Sequence, residues 1–362
     1  MTDLLLQLAG GLICLLALTD LYLVVLYARS DLGFLASRLS QVLWRLFRGV
    51  ARRLPEGPRS WLLTFVGPTL MALIVVVWVG LLLVGFALVS WPALGDEIRK
   101  TDGPTPTDFV TALYYSGYTL ATLGFGDMVP HTALYRVLAV LEAALGFGVL
   151  TLALTYLMSV YSALVRRNTL ALALYHRSGR TGDAAELLAR LGDGGDFSRL
   201  PDRVADLNVL LHDLYESHHS YLTLHYFHFR ENFYGMANMV GVMADLASLA
   251  QTALDADRNR GVAESAAITE TLSGSTYLLQ RLSAIFLPAA FRPSDGGQPI
   301  AEEVTRWRLR FEQALERLDR AGAAVTHDQE AATDRYVELR RRWDPHVEAF
   351  RRYMLERPVR LN

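Results

Sequence analysis

Residues 61–94 contain no charged side chain. A run this long and this apolar exceeds the roughly 20 residues that carry a helix across a bilayer core. Two further runs qualify: residues 4–28, with Asp20 as their one charge, and residues 137–164, with Glu142 as theirs. Residues 108–121 are apolar as well but too short to cross. They are predicted to form a re-entrant helix, a shape tolerated at membrane depth only where protein or water covers its ends. The whole chain of 362 residues is 52% hydrophobic, too apolar for an ordinary soluble protein of this size.

Orientation follows from the basic residues. Between the first two runs, Arg29, Arg38, Arg45, Arg48, Arg52, Arg53 and Arg59 stand against Asp31 and Glu56. This linker is expected on the cytoplasmic side. The N-terminus is then outside, residues 95–133 are outside, and Arg166-Arg167 returns the chain to the cytoplasm for the rest of its length. Asp3 precedes the first run and no basic segment does, so no cleavable signal is expected. Leu39, Val42, Leu43, Leu46, Phe47, Val50 and Leu54 recur at helical spacing, with Arg45, Arg48, Arg52 and Arg53 largely elsewhere on the wheel. This predicts an amphipathic helix lying on the inner leaflet, with membrane lipid as its partner. A voltage-sensor reading is weaker, because partner spans with countercharges are missing. Cys14 is the only cysteine, which excludes an intrachain disulfide and a four-cysteine zinc site. A net charge of −2 carries no field directed at nucleic acid. Arginine dominates over the single Lys100, a bias typical of GC-rich bacterial genomes, so a bacterial inner membrane is the expected location.

After the short apolar dip stands Thr122-Leu123-Gly124-Phe125-Gly126-Asp127. Glycine accepts positive φ at little steric cost. An ion leaving water needs oxygens that replace its hydration shell. A short extended loop supplies them if successive carbonyls point the same way, which requires alternating backbone regions. Glycine also leaves room for several copies of the loop around one axis. A threonine at the inner end adds a hydroxyl, and an aspartate just outside anchors the loop and draws cations.

The hexapeptide resembles the selectivity filter of the potassium-channel family. Leu123 stands where valine or isoleucine is usual, and Phe125 where tyrosine is commoner. Tyr114-Tyr115 occupy pore-helix positions where many members carry a tryptophan pair. Thr119 sits three residues before Thr122, and Gly146 falls where the family often places an inner-helix hinge. Tyr118 stands where some members have a glutamate bonded to the filter aspartate, which puts that support of Asp127 in question. Phe125 has no hydroxyl to donate to the surrounding cuff, which implies a less rigid filter. The resemblance covers residues 61–164. It implies an all-α membrane protein: three transmembrane helices with a re-entrant pore helix and filter loop, plus an all-helical cytoplasmic domain. The domains are then 1–60, 61–165 and 166–362. Potassium is the permeant ligand, held at Thr122, Leu123, Gly124 and Phe125, with no other cofactor. The chain has one such loop and the pathway takes four, so a homotetramer is expected. The implied function is passive, potassium-selective conduction gated by the cytoplasmic helices.

Other residues carry open alternatives. Thr105-Pro106-Thr107-Asp108 is a helix-start signal, and the helix it opens aims its negative end at the pore cavity. Glu142 is a functional candidate: it lines the pore, sits behind the filter bonded to pore-helix groups, or snorkels. Asp20 snorkels or packs against a neighbour. Gly146 and Gly148 allow a bend or close packing. Thr151, Thr155 and Ser159 recur every four residues, lining a hydrated pore or bonding another helix. Further helices are expected over 168–177, 182–191, 199–229, 233–257, 262–287, 300–324 and 328–356, with breaks at 192–195 and 288–299. No strand precedes a GxGxxG, so a nucleotide-type gating domain is not supported, nor is a cyclic-nucleotide β-roll; the ligand of the helical domain stays open. His212, His219, His218, His225 and His228, with Glu216, suggest a metal or pH-sensing face. The interleaved Tyr215, Tyr221, Tyr226, Phe227 and Phe229 suit a packed helix instead. Arg340-Arg341-Arg342 is a solvated face or a lipid site. The rival functions are a weakly selective cation channel and a non-conducting sensor or scaffold. No nucleophile–base pair points to an enzyme.

Overall fold

The computed structural model describes residues 1–27, 33–293 and 300–358. Ala28, Arg29 and Asp31 of the expected first span and linker, and residues 294–299 of the expected break, lie outside the described residues. The architecture is helical, as expected. Helix α1 (Thr2–Leu21) continues as a wider turn over Tyr22–Leu26, followed by α2 (Phe34–Ala51), α3 (Glu56–Thr64) and α4 (Val66–Ser90). A short strand β1 (Ile98–Lys100) leads to α5 (Phe109–Leu120), then β2 (Met128–Pro130) and the long α6 (Ala133–Arg177). Three helical stretches, Thr2–Leu26, Glu56–Ala93 and Ala133–Arg177, are long and apolar enough to cross a membrane. Helix α6 is 45 residues long. The separate helix expected over 168–177 is therefore the end of this one, since nothing between residues 165 and 177 breaks a helix.

Two compact units form. The first holds Met1–Phe47, Phe65–Ser162 and His219–Tyr226; the second holds Arg48–Thr64, Ala163–His218 and Phe227–Asn362. They interleave along the chain, where the expected domains follow one another in order.

In the first unit α1 packs along α4 through small residues. A Cβ on Gly10 would lie 2.4 Å from the Gly85 carbonyl oxygen, and one on Gly85 would lie 2.5 Å from Cys14 Sγ. Without a solvent-driven hydrophobic force, close backbone approach is how membrane helices gain contact. The same face of α1 carries Asp20, which is fully buried. Asp20 Oδ1 accepts from the Leu35 backbone N–H at 2.8 Å and Oδ2 from Trp78 Nε1 at 2.9 Å. Snorkelling is thus corrected: the carboxylate joins three helices and satisfies an orphan N–H at the start of α2. Helix α2 is amphipathic as predicted, burying Ala36, Ser40 and Trp44 and exposing Val42, Leu46 and Val50.

In the second unit α7 (Ala184–Leu191), α8 (Leu200–Ser220), α9 (Met236–Thr252), α10 (Arg260–Ala263), α11 (Ala266–Phe286), α12 (Ala301–Arg320), α13 (Gln329–Arg341) and α14 (Asp344–Met354) follow in order. Nearly every side chain of α9 is buried, with α7, α11, α13 and α14 packed around it. The helix expected over 199–229 ends at Ser220 and gives way to a tight turn over Leu222–Tyr226. The one expected over 328–356 is two helices, broken at Arg342-Trp343 just ahead of Pro345, which lacks a backbone donor and starts α14. Three arginines make specific contacts inside the second unit. Arg48 lies over the rings of Phe291 and Tyr353, at 4.6 and 5.1 Å. Arg167 is buried and donates to the carbonyls of Phe227 at 3.1 Å and Tyr234 at 2.8 Å. Arg340 bonds Asp344 at 3.0 Å and Asp245 at 3.2 Å, so only Arg341 and Arg342 fit the solvated face.

Arg340 belongs to a buried charge network. Arg310 donates to Asp183 at 2.8 Å and to Asp245 at 3.2 Å, and the Tyr336 hydroxyl donates to Asp245 at 2.5 Å. Burial alone would raise the Asp183 and Asp344 carboxyls, but Arg310 and Arg340 outweigh it and hold both below the usual carboxylate range. Because the folded values are depressed, this stabilisation is in place above the ordinary aspartate value of about 3.9 and is lost as pH falls through the folded values. Arg310→Met takes one cation from each of two buried carboxylates, leaving Asp183 with Arg317 and Asp245 with Arg340, at an expected cost of roughly 3 kcal/mol. Thermal melting of the full-length protein across pH checks this: the variant should melt lower and start its acid loss at higher pH. Superimposable curves would contradict the network's role.

Candidate functional site

Helix α5 is 12 residues long and has both ends closed by its own sequence. At its start Asp108 accepts from the Thr111 N–H at 3.0 Å and from the Thr111 hydroxyl at 2.9 Å, as the start signal predicts. At its end the Thr122 N–H returns to the Thr119 carbonyl at 3.0 Å and the Leu123 N–H to the Tyr118 carbonyl at 2.8 Å. This paired return is a Schellman motif, whose left-handed residue is usually glycine. Here that residue is Thr122, at φ 56°. A β-branched residue there stores about 1–3 kcal/mol of strain, a cost that points to a use for the hydroxyl.

The alternation continues outward. Gly124 has φ 63° and Gly126 has φ 73°, whereas Leu123 and Phe125 stay at negative φ. Residues 121–126 are all exposed in the single chain. The carbonyls of Thr122, Leu123, Gly124 and Phe125 accept no hydrogen bond among the described residues.

Behind the loop lies a compact core of Tyr115, Tyr118, Ala112, Ile98, Met128 and Tyr135. The Tyr118 hydroxyl donates to the Met128 carbonyl at 2.6 Å, and Tyr114 lies near Asp127, whose Oδ1 is buried with no hydrogen-bond partner among the described residues. The support of Asp127 put in question at Tyr118 is not made within the described residues: the Tyr118 hydroxyl goes to Met128 instead. The Phe125 ring lies parallel to Tyr114 at 6.4 Å and meets Tyr118 edge-on at 6.0 Å. Thr119 turns its hydroxyl back to the Tyr115 carbonyl at 2.8 Å. Strands β1 and β2 pair antiparallel, Ile98 with Pro130, Arg99 with Val129 and Lys100 with Met128. The sequence reading missed this ribbon, because three residues are too few to show a period.

Glu142 is buried, 1% exposed. Its Oε1 accepts from the Ser116 hydroxyl at 2.5 Å. In the described chain it sits behind α5, neither snorkelling nor on the exposed face of α6. Ser116 was missed; its spacing from the pore-helix tyrosines was the available signal. At Gly146 a Cβ would lie 1.9 Å from the Leu120 carbonyl oxygen, so this glycine lets α6 press against the end of α5. A Cβ on Gly148 would meet nothing within 4 Å. Thr151, Thr155 and Ser159 each donate to the carbonyl four residues earlier, at 2.9, 3.0 and 2.9 Å, forming an exposed hydroxyl stripe.

The histidine face does not form. His225 and His228 lie beyond the end of α8, and His228 Nε2 is 3.0 Å from the Met354 carbonyl. His212 faces Glu270 at 3.5 Å on the surface. Among the described residues no three His, Cys, Asp or Glu side chains gather closely enough to hold a metal ion.

Comparison with known proteins bears on the same stretch. The family model described as "Ion channel" matches residues 71–163. An uncharacterized membrane protein of Bacillus subtilis (strain 168), YdjJ, is 28% identical over 223 residues, 61% of this chain. The chain spans 62% of the length of that relative. No solved structure matches.

The two glycines of α6 make a contrast that can be measured. Gly146→Ala drives a methyl into backbone and is expected to cost about 1–3 kcal/mol or more in overpacking. Gly148→Ala should be neutral or slightly stabilising in the isolated chain. Thermal melting and size-exclusion of both variants check this, and equal behaviour would contradict the packing role of Gly146.

Proposed function

We propose, for a chain whose residues 71–163 belong to the ion-channel family, that it conducts potassium passively through a homotetrameric pore lined by the 122–127 loop. The observation that carries this reading is the alternation of positive φ at Thr122, Gly124 and Gly126. In such a backbone, carbonyls can follow one another along one side. The four carbonyls from Thr122 to Phe125, together with the Thr122 hydroxyl, then replace the ion's hydration shell. Asp127 stands at the outer end and attracts cations. Each chain brings one exposed loop, and four around an axis close the ring. The end of α5 beneath Thr122 contributes partial negative charge to the cavity.

The hydroxyl stripe of Thr151, Thr155 and Ser159 lies on the exposed face of α6 and provides a wetted wall for the inner pathway. The arginine distribution supports an inner-membrane protein with the N-terminus outside and the C-terminal helices in the cytoplasm. Helix α6 runs without a break from the ion-channel segment into the second unit, which supports regulation of opening by those helices.

Purified protein in potassium-loaded liposomes tests the reading. Wild type should pass potassium in preference to sodium. Gly124→Ala should abolish flux, because alanine resists φ 63° at about 1–2 kcal/mol per copy and narrows the ring. Equal flux of both ions, or an unaffected variant, would contradict the filter assignment.

A further inference from the structure

The outer end of the 122–127 loop is held by a segment that none of the motif residues includes. Three consecutive carbonyls leave the loop already occupied. Gly126 accepts from the Thr101 hydroxyl at 2.7 Å. Asp127 accepts from the Thr101 backbone N–H at 2.8 Å. Met128 accepts from the Tyr118 hydroxyl at 2.6 Å. The next four carbonyls inward, at residues 122–125, accept nothing among the described residues. The boundary between held and open oxygens therefore falls between Phe125 and Gly126, and Thr101 makes it.

Thr101 is itself fixed. It follows β1 directly, whose register on β2 is set by three residue pairs. Ile98 is fully buried and Met128 nearly so, both in the core behind the loop. The Lys100 N–H donates to the Thr105 hydroxyl at 2.8 Å, and the His131 N–H to the Glu97 carbonyl at 2.8 Å, closing the ribbon at both ends. A hydroxyl presented from such a frame fixes where the Gly126 carbonyl points.

We propose that Thr101 is a positioning residue for ion binding. Its hydroxyl turns the Gly126 carbonyl out of the ion path, makes Phe125 the outermost carbonyl ring, and keeps the outer end of the loop from spreading. It does from the ribbon what a hydroxyl on residue 125 would do from the loop. The inference rests on the potassium-filter reading.

Potassium-dependent melting of the full-length tetramer tests it and needs no open gate. Ions bound between carbonyl rings stabilise the assembly by RT ln(1 + c/Kd) for each site, with c the ion concentration, so the onset of stabilisation reports the Kd. Wild type and Thr101→Ser should be stabilised by potassium over sodium, with the rise in melting temperature setting in at similar concentrations. Thr101→Val, which keeps the shape and loses the hydroxyl, should need at least fivefold more potassium while forming the same tetramer by size-exclusion. If all three titrate alike, or if serine behaves as valine does, Thr101 has no positioning role and the filter reading stands. If wild type does not distinguish potassium from sodium, the filter reading falls and this inference with it.

Discussion

The loop depends on how a helix too short to cross a membrane closes its two ends. Helix α5 cannot leave its last carbonyls and first N–H groups in hydrocarbon. Asp108 meets the start. At the other end the chain turns back through Thr122, whose left-handed conformation both terminates the helix and begins the alternation that Gly124 and Gly126 continue. The geometry of the loop is thus an extension of a helix cap. The neighbouring glycine completes it, since only a residue without Cβ lets α6 lie against the Leu120 carbonyl.

Among the apolar helices of the first unit two buried acids stand singly, each with a partner. Glu142 is matched to Ser116, and Asp20 to Trp78 and Leu35. In an apolar setting an unmatched polar atom costs more than a bond returns, so such pairs specify register. The second unit follows a different plan. Its centre joins Asp183, Asp245 and Asp344 to Arg310 and Arg340. Such a network is weak evidence of stability in itself, but removing one of its members is costly.

Much of the segment from α4 to α6 was legible in the sequence. An uncharged run of membrane length, a short apolar dip and a glycine-bearing hexapeptide are local signals, and local signals survive without coordinates. The start at Asp108 and the amphipathic α2 were legible for the same reason. What stayed hidden depends on partners distant in the chain. Asp20 looked like a stray charge because Trp78 and Leu35 lie elsewhere. Arg340 looked solvated because its triplet hides which face is buried. The histidine spacing assumed a helix that ends at Ser220. The ribbon holding Thr101 to the loop is set by pairing across residues 98–130, which no local period reveals.

The most direct test of the central claim is the reversal potential of wild-type current in a planar bilayer with potassium on one side and sodium on the other. A ring of dehydrating carbonyls predicts a reversal displaced from zero by about 59 mV for each tenfold of potassium-over-sodium selectivity, in the direction that opposes potassium flow. A reversal at zero would mean that the loop passes both ions alike, and the account of Thr122 to Phe125 as a potassium filter would be wrong.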